Sequence, residues 1–267
     1  MRVVRIDGTE YRGAAAPGRM GLDALAGPGL IETMRARHGR IAHRRAHLDR
    51  LAASRETLGL RGGPDPTLVE DELDAVLAAC RDEDALVRLV VGARALVVEA
   101  APVEPLPAEP PAVVAITLAG AWRPDCSAAE HKRTERAHWR RAEAAAIAAG
   151  ADIVLTTDTE GRLGEASRAS VFVVADGTLQ TAPVAGLLPG VGRAVVVELA
   201  GVVVEEAAPL ERWRGAQEIF SVSALRGISA VAAIDGAPVG QGPAGPFTRR
   251  LAAAYRRRVA ADGGAES

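Results

Sequence analysis

Between residues 102 and 111 the chain carries prolines at 102, 105, 107, 110 and 111. Proline has no backbone N–H to give a helix, and it steers the preceding residue into extended geometry. The stretch is therefore an extended connection, and the fold has to be built from what lies on either side of it. On the N-terminal side, strands are expected at Val3–Asp7, Leu30–Ala36 and Arg40–Ala42, the last two around a His38-Gly39 turn. Helices are expected at His47–Gly59 and Pro66–Cys80, where apolar residues recur at helical spacing. Strands at Leu86–Val91 and Ala95–Ala100 lead into the prolines, and Val113–Leu118 follows them. A domain boundary is expected near Gly120, dividing the chain into 1–120 and 121–267.

The second half is expected to open on a long helix, Ala128–Ala149. Strands follow at Ile153–Thr157, Leu163–Ala166, Val171–Val174 and Thr178–Thr181, with Asp176-Gly177 as a hairpin turn between the last two. A glycine-bearing loop, Gly186–Gly192, feeds a short helix, Arg193–Leu199. Strands at Val202–Glu206, Glu218–Val222 and Ile228–Ile234 precede a terminal helix, Phe247–Ala261. Strands and helices mix without regular βαβ alternation, which predicts an α+β fold.

Composition excludes several partners. The net charge of −2 gives no electrostatic reason to expect nucleic acid or an anionic membrane. No apolar run is long enough to span a bilayer, and the N-terminus lacks the apolar core of a secretory signal. Cys80, Cys126 and the five histidines show no disulfide framework or metal-ligand spacing. The expectation is a cytoplasmic protein without a metal. One count is more informative: of 32 basic Lys and Arg residues only Lys132 is lysine, and there is no asparagine. Arginine can replace lysine where charge alone is needed. It cannot replace a nucleophilic amine, because its guanidinium stays protonated and forms no carbonyl imines. A single retained lysine is a candidate for covalent chemistry.

Five short blocks surround that lysine. Gly29-Leu30-Ile31-Glu32-Thr33 is followed by Gly39 and by His47-Leu48-Asp49-Arg50-Leu51. Lys132 comes next, with Arg136 four residues on. Gly161-Arg162-Leu163-Gly164-Glu165 precedes Ser170-Val171-Phe172. Leu188-Pro189-Gly190-Val191-Gly192-Arg193 runs into a helix start. Ser223-Ala224-Leu225-Arg226-Gly227 follows a strand. In this order the blocks resemble the class IV aminotransferase family, the fold-type-IV pyridoxal 5′-phosphate (PLP) enzymes. That family includes branched-chain aminotransferases, D-amino-acid aminotransferases and 4-amino-4-deoxychorismate lyases. The similarity runs from about residue 29 to about residue 236.

The resemblance implies two α+β domains with PLP in the cleft between them, a homodimer, and a small-molecule amino-group substrate. It implies that Lys132 holds the cofactor as a Schiff base and then shuttles a proton. Glu165 would sit by the pyridine nitrogen and keep it protonated. Arg50 would pair with the phosphate, whose oxygens suit a planar fork. Val191 and Gly192 would offer backbone N–H groups to the same phosphate at a helix start, and Ser223 and Ala224 would flank it. Ile31, Thr33 and Arg94 are the pocket candidates. The chain departs from the family pattern at Ser170, where asparagine is usual, and at Gly192, where threonine is frequent. It also departs in the short 92–94 turn, and at Ile31, where many relatives carry an aromatic residue. The Ser223–Gly227 block and Arg136 look more like the lyase branch, which eliminates pyruvate to give 4-aminobenzoate. The alternatives are a transaminase acting between an amino acid and a 2-oxo acid, and a PLP-binding relative without catalysis.

Overall fold

A computed structural model describes residues 1–60, 63–80, 82–242 and 244–262. The chain forms two compact units. The first comprises Met1–Pro105, Lys132–Glu135 and the chain from Arg258 on; the second comprises Leu106–His131 and Arg136–Arg257.

The first unit contains β1 (Val3–Ile6), β2 (Thr9–Arg12), α1 (Arg19–Ala26), β3 (Gly29–Arg37), β4 (Arg40–Ile41), α2 (Arg44–Thr57), α3 (Pro66–Cys80), β5 (Asp84–Gly92) and β6 (Leu96–Pro102). Its six strands pair antiparallel in the order β2-β1-β6-β5-β3-β4. One face of the sheet, with Leu30, Met34 and Leu89, buries against Leu51 of α2 and Leu73, Val76 and Leu77 of α3. The other, with Val4, Ile31, Val90 and Val97, buries against Leu22 and Ala26 of α1. Each of these leucine, isoleucine, valine and methionine side chains, fully buried, is worth about 1.5–3 kcal/mol. Helix α1 and strand β2 lie where sequence reading expected no element: α1 is short and buries only Leu22 and Ala26. Glycine opens β3 for a steric reason. A Cβ on Gly29 would stand 2.2 Å from the Val91 carbonyl oxygen, so only glycine lets β3 start this close to the end of β5.

The second unit contains β7 (Ala112–Leu118), α4 (Ala137–Ala148), β8 (Ile153–Thr157), β9 (Leu163–Ala166), β10 (Ala169–Ala175), β11 (Thr178–Thr181), α5 (Val191–Ala200), β12 (Val204–Glu205), α6 (Leu210–Arg214), β13 (Glu218–Ser223), β14 (Gly227–Ile234), β15 (Ala237–Pro238) and α7 (Pro246–Asp262), whose last turn is grouped with the first unit. Strands β10-β13-β14-β7-β8-β9 pair in sequence, and β9 pairs back onto β10, so six strands close into a barrel. Closure leaves these strands no open edge. Leu155, Leu163, Val171, Val173, Ile219, Val231 and Trp213 form its core. Four hairpins turn on two residues that both have positive φ: Asp7-Gly8, His38-Gly39, Asp176-Gly177 and Asp235-Gly236.

Two sequence expectations need correction. Strand β7 pairs with β8 and β14, so the change of unit falls at Pro105–Leu106 and not near Gly120. The proline-rich stretch itself, 103–111, is neither helix nor strand. The long helix expected from Ala128 begins only at Ala137. Residues Ser127–Glu130 make a single 3-10 turn, and the chain then runs extended through Lys132. The backbone of residues 132–134 is taken by the free edge of β3, which removes it from any helix. Lys132 is thus grouped with the first unit, whereas the sequence placed it in the second domain.

Candidate active site

The first cluster is built on β3 and α2. Side chains alternate along a strand, so Glu32 shares with Leu30 and Met34 the face that α2 and α3 cover. It is a carboxylate in a core position, 1% exposed. His47 and Arg50, three residues apart, lie on one face of α2, and both reach Glu32. Arg50 donates from Nε to Oε1 at 2.9 Å and from Nη2 to Oε2 at 2.5 Å. His47 Nδ1 lies 2.7 Å from Oε2. Burial by itself would raise the Glu32 pKa. The hydrogen bond from His47 and the charge and hydrogen bonds of Arg50 outweigh it and hold the carboxyl at about 2. Burial pushes His47 below its ordinary value against the pull of Glu32, and the charges of Arg50 and Lys132 push it the same way. The imidazole is therefore neutral at pH 7. An ionised carboxylate can only accept, so the ring hydrogen sits on Nδ1.

Lys132 reaches this unit along the edge of β3. Ile31 N–H donates to the Lys132 carbonyl at 2.8 Å, and Thr134 N–H donates to Gly29 O at 2.9 Å. Thr134 Oγ1 accepts from Gly29 N–H at 2.9 Å, and Leu30 and Arg133 form an antiparallel bridge. Ile31 is thus the cross-strand neighbour of Lys132. Thr33 lies two residues further along β3, half-buried and opposite Arg88. Arg94 is exposed in the β5–β6 turn, with its side chain over Gly27 just beyond α1.

The second cluster belongs to the barrel unit. Glu165 on β9 is fixed through its backbone: its N–H donates to Thr156 Oγ1 at 3.2 Å, and the Thr156 hydroxyl donates to its carbonyl at 3.0 Å. Ser170 pairs opposite it on β10. A small cavity of about 10 Å³ is lined by Gly164, Glu165 and Ser170 together with Thr181, Leu188 and Arg193. A Cβ on Gly190 would stand 2.7 Å from Ser170 Oγ. One on Gly192 would stand 3.2 Å from the Ser223 carbonyl carbon and 3.3 Å from Ala224 N, so the first turn of α5 lies against the 223–224 backbone. Val191, the first residue of α5, is buried. Ser223 Oγ accepts from Arg226 N–H at 3.1 Å, and Gly227 follows at φ +68°.

The structure thus joins Arg50 to Glu32 in the first unit, with Ile31 beside Lys132, and it joins Val191 and Gly192 to Ser223 and Ala224 in the second. Sequence reasoning named Arg50 for the phosphate and placed His47 only in the same motif block. It missed Glu32 as their common acceptor. The signal was available: Glu32 is the one charged residue at the inward positions of β3 between Leu30 and Met34. Thr156 and the Ser170–Gly190 contact left no sequence signal, because each depends on pairing between distant strands. Among the described residues no group of His, Cys, Asp and Glu is arranged to hold a metal, and no helix is long and apolar enough to cross a membrane.

Comparisons with known proteins agree with this architecture. The family model described as amino-transferase class IV matches residues 29–234. A Methanocaldococcus jannaschii protein provisionally named branched-chain-amino-acid aminotransferase is 30% identical over 250 residues, covering 85% of each chain. The match to branched-chain-amino-acid aminotransferase-like protein 2 of Arabidopsis thaliana, 31% identical, covers 41% of this chain and only 20% of that protein. Among solved structures, the Thermoproteus uzoniensis branched-chain aminotransferase with norvaline matches at TM-score 0.80 and 26% identity, covering 98% of this chain and 96% of that one. A Legionella pneumophila protein provisionally named 4-amino-4-deoxychorismate lyase shares the fold at TM-score 0.78 and 20% identity, covering 92% of this chain and 97% of its own. The α+β chain has the fold of a Curtobacterium pusillum fold IV-transaminase, which it matches at TM-score 0.81 and 22% identity over 100% of each chain. The chain belongs to the class IV aminotransferase family.

PLP is the cofactor of that family, and the groups present fit it. Helix α5 starts at Gly190 with no side-chain cap and no acidic residue in its first turn. Its first amides are left to an anion, which the helix dipole favours there. The absence of Cβ at Gly192 lets the 223–224 backbone approach the same turn.

Proposed function

We propose that this chain is a PLP-dependent aminotransferase that moves the amino group of an α-amino acid to a 2-oxo acid. The observation that carries the reading is the 30% identity over 250 residues, 85% of each chain, to a relative named for amino transfer. When bound, PLP supplies an electron sink for the bonds at the substrate Cα. The rest falls to the chain. Lys132, as the only lysine, is the side-chain amine available to hold the cofactor and to take up the Cα proton. Glu165, fixed by Thr156, would sit at the ring nitrogen. Arg50, Val191, Gly192, Ser223 and Ala224 would hold the phosphate, and Ile31 and Thr33, with Arg94 as a further candidate, would bound the substrate. A homodimer in the cytoplasm, acting on a small amino-group substrate, is part of the same reading.

The lyase reading, to which the sequence leaned, is placed second. The Ser223–Gly227 block pointed to it, yet that block has a local explanation: the Ser223 hydroxyl takes the Arg226 amide and Gly227 turns the chain into β14. What still favours a lyase is the sequence resemblance of Arg136 and the Ser223–Gly227 block to that branch. The test is a paired assay. PLP-loaded protein is offered a panel of amino acids with 2-oxoglutarate or pyruvate, and separately aminodeoxychorismate. Keto-acid-dependent turnover supports the aminotransferase. Release of 4-aminobenzoate without transamination reverses the choice, and protein that takes up no PLP refutes both.

A further inference from the structure

The face of the first sheet opposite to Glu32 is the one that Lys132 joins. Lys132 pairs directly across from Ile31 on the edge of β3. On the next strand, Val90 lies across from Ile31 and Arg88 across from Thr33. Directly opposed residues point to the same face, and so do residues two apart on one strand. Lys132, Ile31, Thr33 and Arg88 therefore share one side of the sheet, the side that α1 covers with Leu22 and Ala26. Two strand spacings and two residues separate Lys132 from Arg88, about 12 Å between backbones. A small acid and two long side chains can bridge that span.

Arg88 is a guanidinium only 9% exposed. Its Nη2 donates to Asp23 of α1, and its Nη1 is buried with no hydrogen-bond partner among the described residues. A buried donor left unmade is costly, and native proteins rarely keep one without a use. Glu99, across from Arg88 on β6, is held by Arg2 at 2.7 Å and lies 3.4 Å from Arg19 of α1. Arg19 and Asp23 stand one turn apart on α1, so the helix makes two charge contacts with this face. Both fasten the helix, but the Asp23 contact also takes up the Arg88 fork.

We propose that Asp23 is a specificity-determining residue: it supplies, from within the chain, the carboxylate that Arg88 would otherwise take from a substrate, and so turns the site towards acids with uncharged side chains. This rests on the reading that Lys132 is the cofactor lysine and that Ile31 and Thr33 bound the substrate. It deepens that reading by naming the class: α-amino acids with uncharged side chains, and 2-oxo acids with a single carboxylate. The ground is the geometry of the fork. Arginine holds a carboxylate best through two parallel N–H bonds. With Nη2 on Asp23, that pairing is broken and the ion pair has no net charge to draw a second carboxylate. A dicarboxylate on this face meets the like charge of Asp23, which disfavours it, whereas an apolar side chain meets Ile31 and Val90.

The test compares pyruvate with 2-oxoglutarate as amino acceptors for the PLP-loaded protein and reads the ratio of their kcat/KM values. The wild type should prefer pyruvate. Asp23→Asn keeps the shape and removes the charge. It should move the ratio towards 2-oxoglutarate by about tenfold or more, the size of one charge-assisted hydrogen bond, mainly through the KM for 2-oxoglutarate. Adding Arg88→Gln to Asp23→Asn should abolish the gain. Arg19→Ala, which removes the other contact of α1, should leave the ratio where it is. A shift there as large as in Asp23→Asn would mean that Asp23 only fastens the helix. An unchanged ratio in Asp23→Asn, or a wild type that prefers 2-oxoglutarate, overturns the proposal. A second arm needs no turnover. Glutarate, a dicarboxylate with neither amino nor oxo group, is titrated by calorimetry into the wild type and Asp23→Asn, and the variant should bind it about tenfold more tightly. Equal affinities overturn the proposal. Tighter glutarate binding by the variant, in a protein that transaminates nothing, would refute the function proposed above and uphold the role of Asp23.

Discussion

Glu32→Ala tests whether the buried carboxylate organises its cluster. The substitution removes the acceptor of two hydrogen bonds from Arg50 and one from His47, in a place where Glu32 is 1% exposed. Breaking a buried ion pair by deleting one partner costs about 3–5 kcal/mol. The ionisation of Glu32 gives a second figure. A carboxyl held at about 2 in the fold, against an ordinary 4.5, favours the folded chain by about 3 kcal/mol at neutral pH. The two routes agree, and the loss is a large part of the roughly 5–15 kcal/mol typical of a domain. The sign with pH follows from the lowered pKa. The contribution is fully present above about 4.5 and fades as pH falls towards about 2, because the unfolded chain binds the proton first. Urea unfolding of the cofactor-free protein measures it, since PLP would stabilise the native state by mass action. At pH 7.5 Glu32→Ala should lose about 3 kcal/mol, and Glu32→Gln should flatten the acid limb between pH 4.5 and 2. A loss below about 1 kcal/mol, or an unchanged acid limb in Glu32→Gln, would refute the reasoning.

Three further outcomes are expected. Gly192→Ala places a methyl 3.2 Å from the Ser223 backbone, so α5 must withdraw by a few tenths of an ångström; stability should fall by about 1 kcal/mol, while PLP affinity, read by fluorescence titration, falls about tenfold or more. Gly190→Ala meets Ser170 Oγ; in a double-mutant cycle Ser170→Ala should recover part of its cost, with a coupling of about 1 kcal/mol by denaturant unfolding. Glu218, buried, accepts the Phe247 and Thr248 amides at 3.0 and 2.8 Å at the start of α7; Glu218→Ala should cost about 2 kcal/mol and lower the melting temperature, with Glu218→Gln recovering part of it.

Legibility in the sequence followed the range of the forces involved. Pro66–Cys80, Ile153–Thr157, Leu163–Ala166 and Thr178–Thr181 have the bounds that periodicity and turn residues predicted, because local spacing determines which face is buried. The hairpin turns at His38-Gly39 and Asp176-Gly177 were legible for the same reason. The closing of β9 onto β10 was not, since it depends on pairings that no local pattern records.

Lys132 shows the limit most clearly. Residues 128–149, read alone, are rich in alanine and charged residues at helical spacing, and propensity extends the helix back through the lysine. In the fold, Gly29 and Ile31 offer the unpaired edge of β3, and the backbone of 132–134 satisfies it. An edge strand's exposed N–H and C=O groups favour pairing more than a few residues of helix propensity favour a turn. The consequence is chemical. On a helix, Lys132 would share its face with Arg136 and be carried by side-chain packing. On the strand edge its backbone is fixed by the Ile31 hydrogen bond, beside the sheet whose inner face carries Glu32. The lysine made conspicuous by composition therefore has its backbone held by the same strand that supplies the cluster's carboxylate.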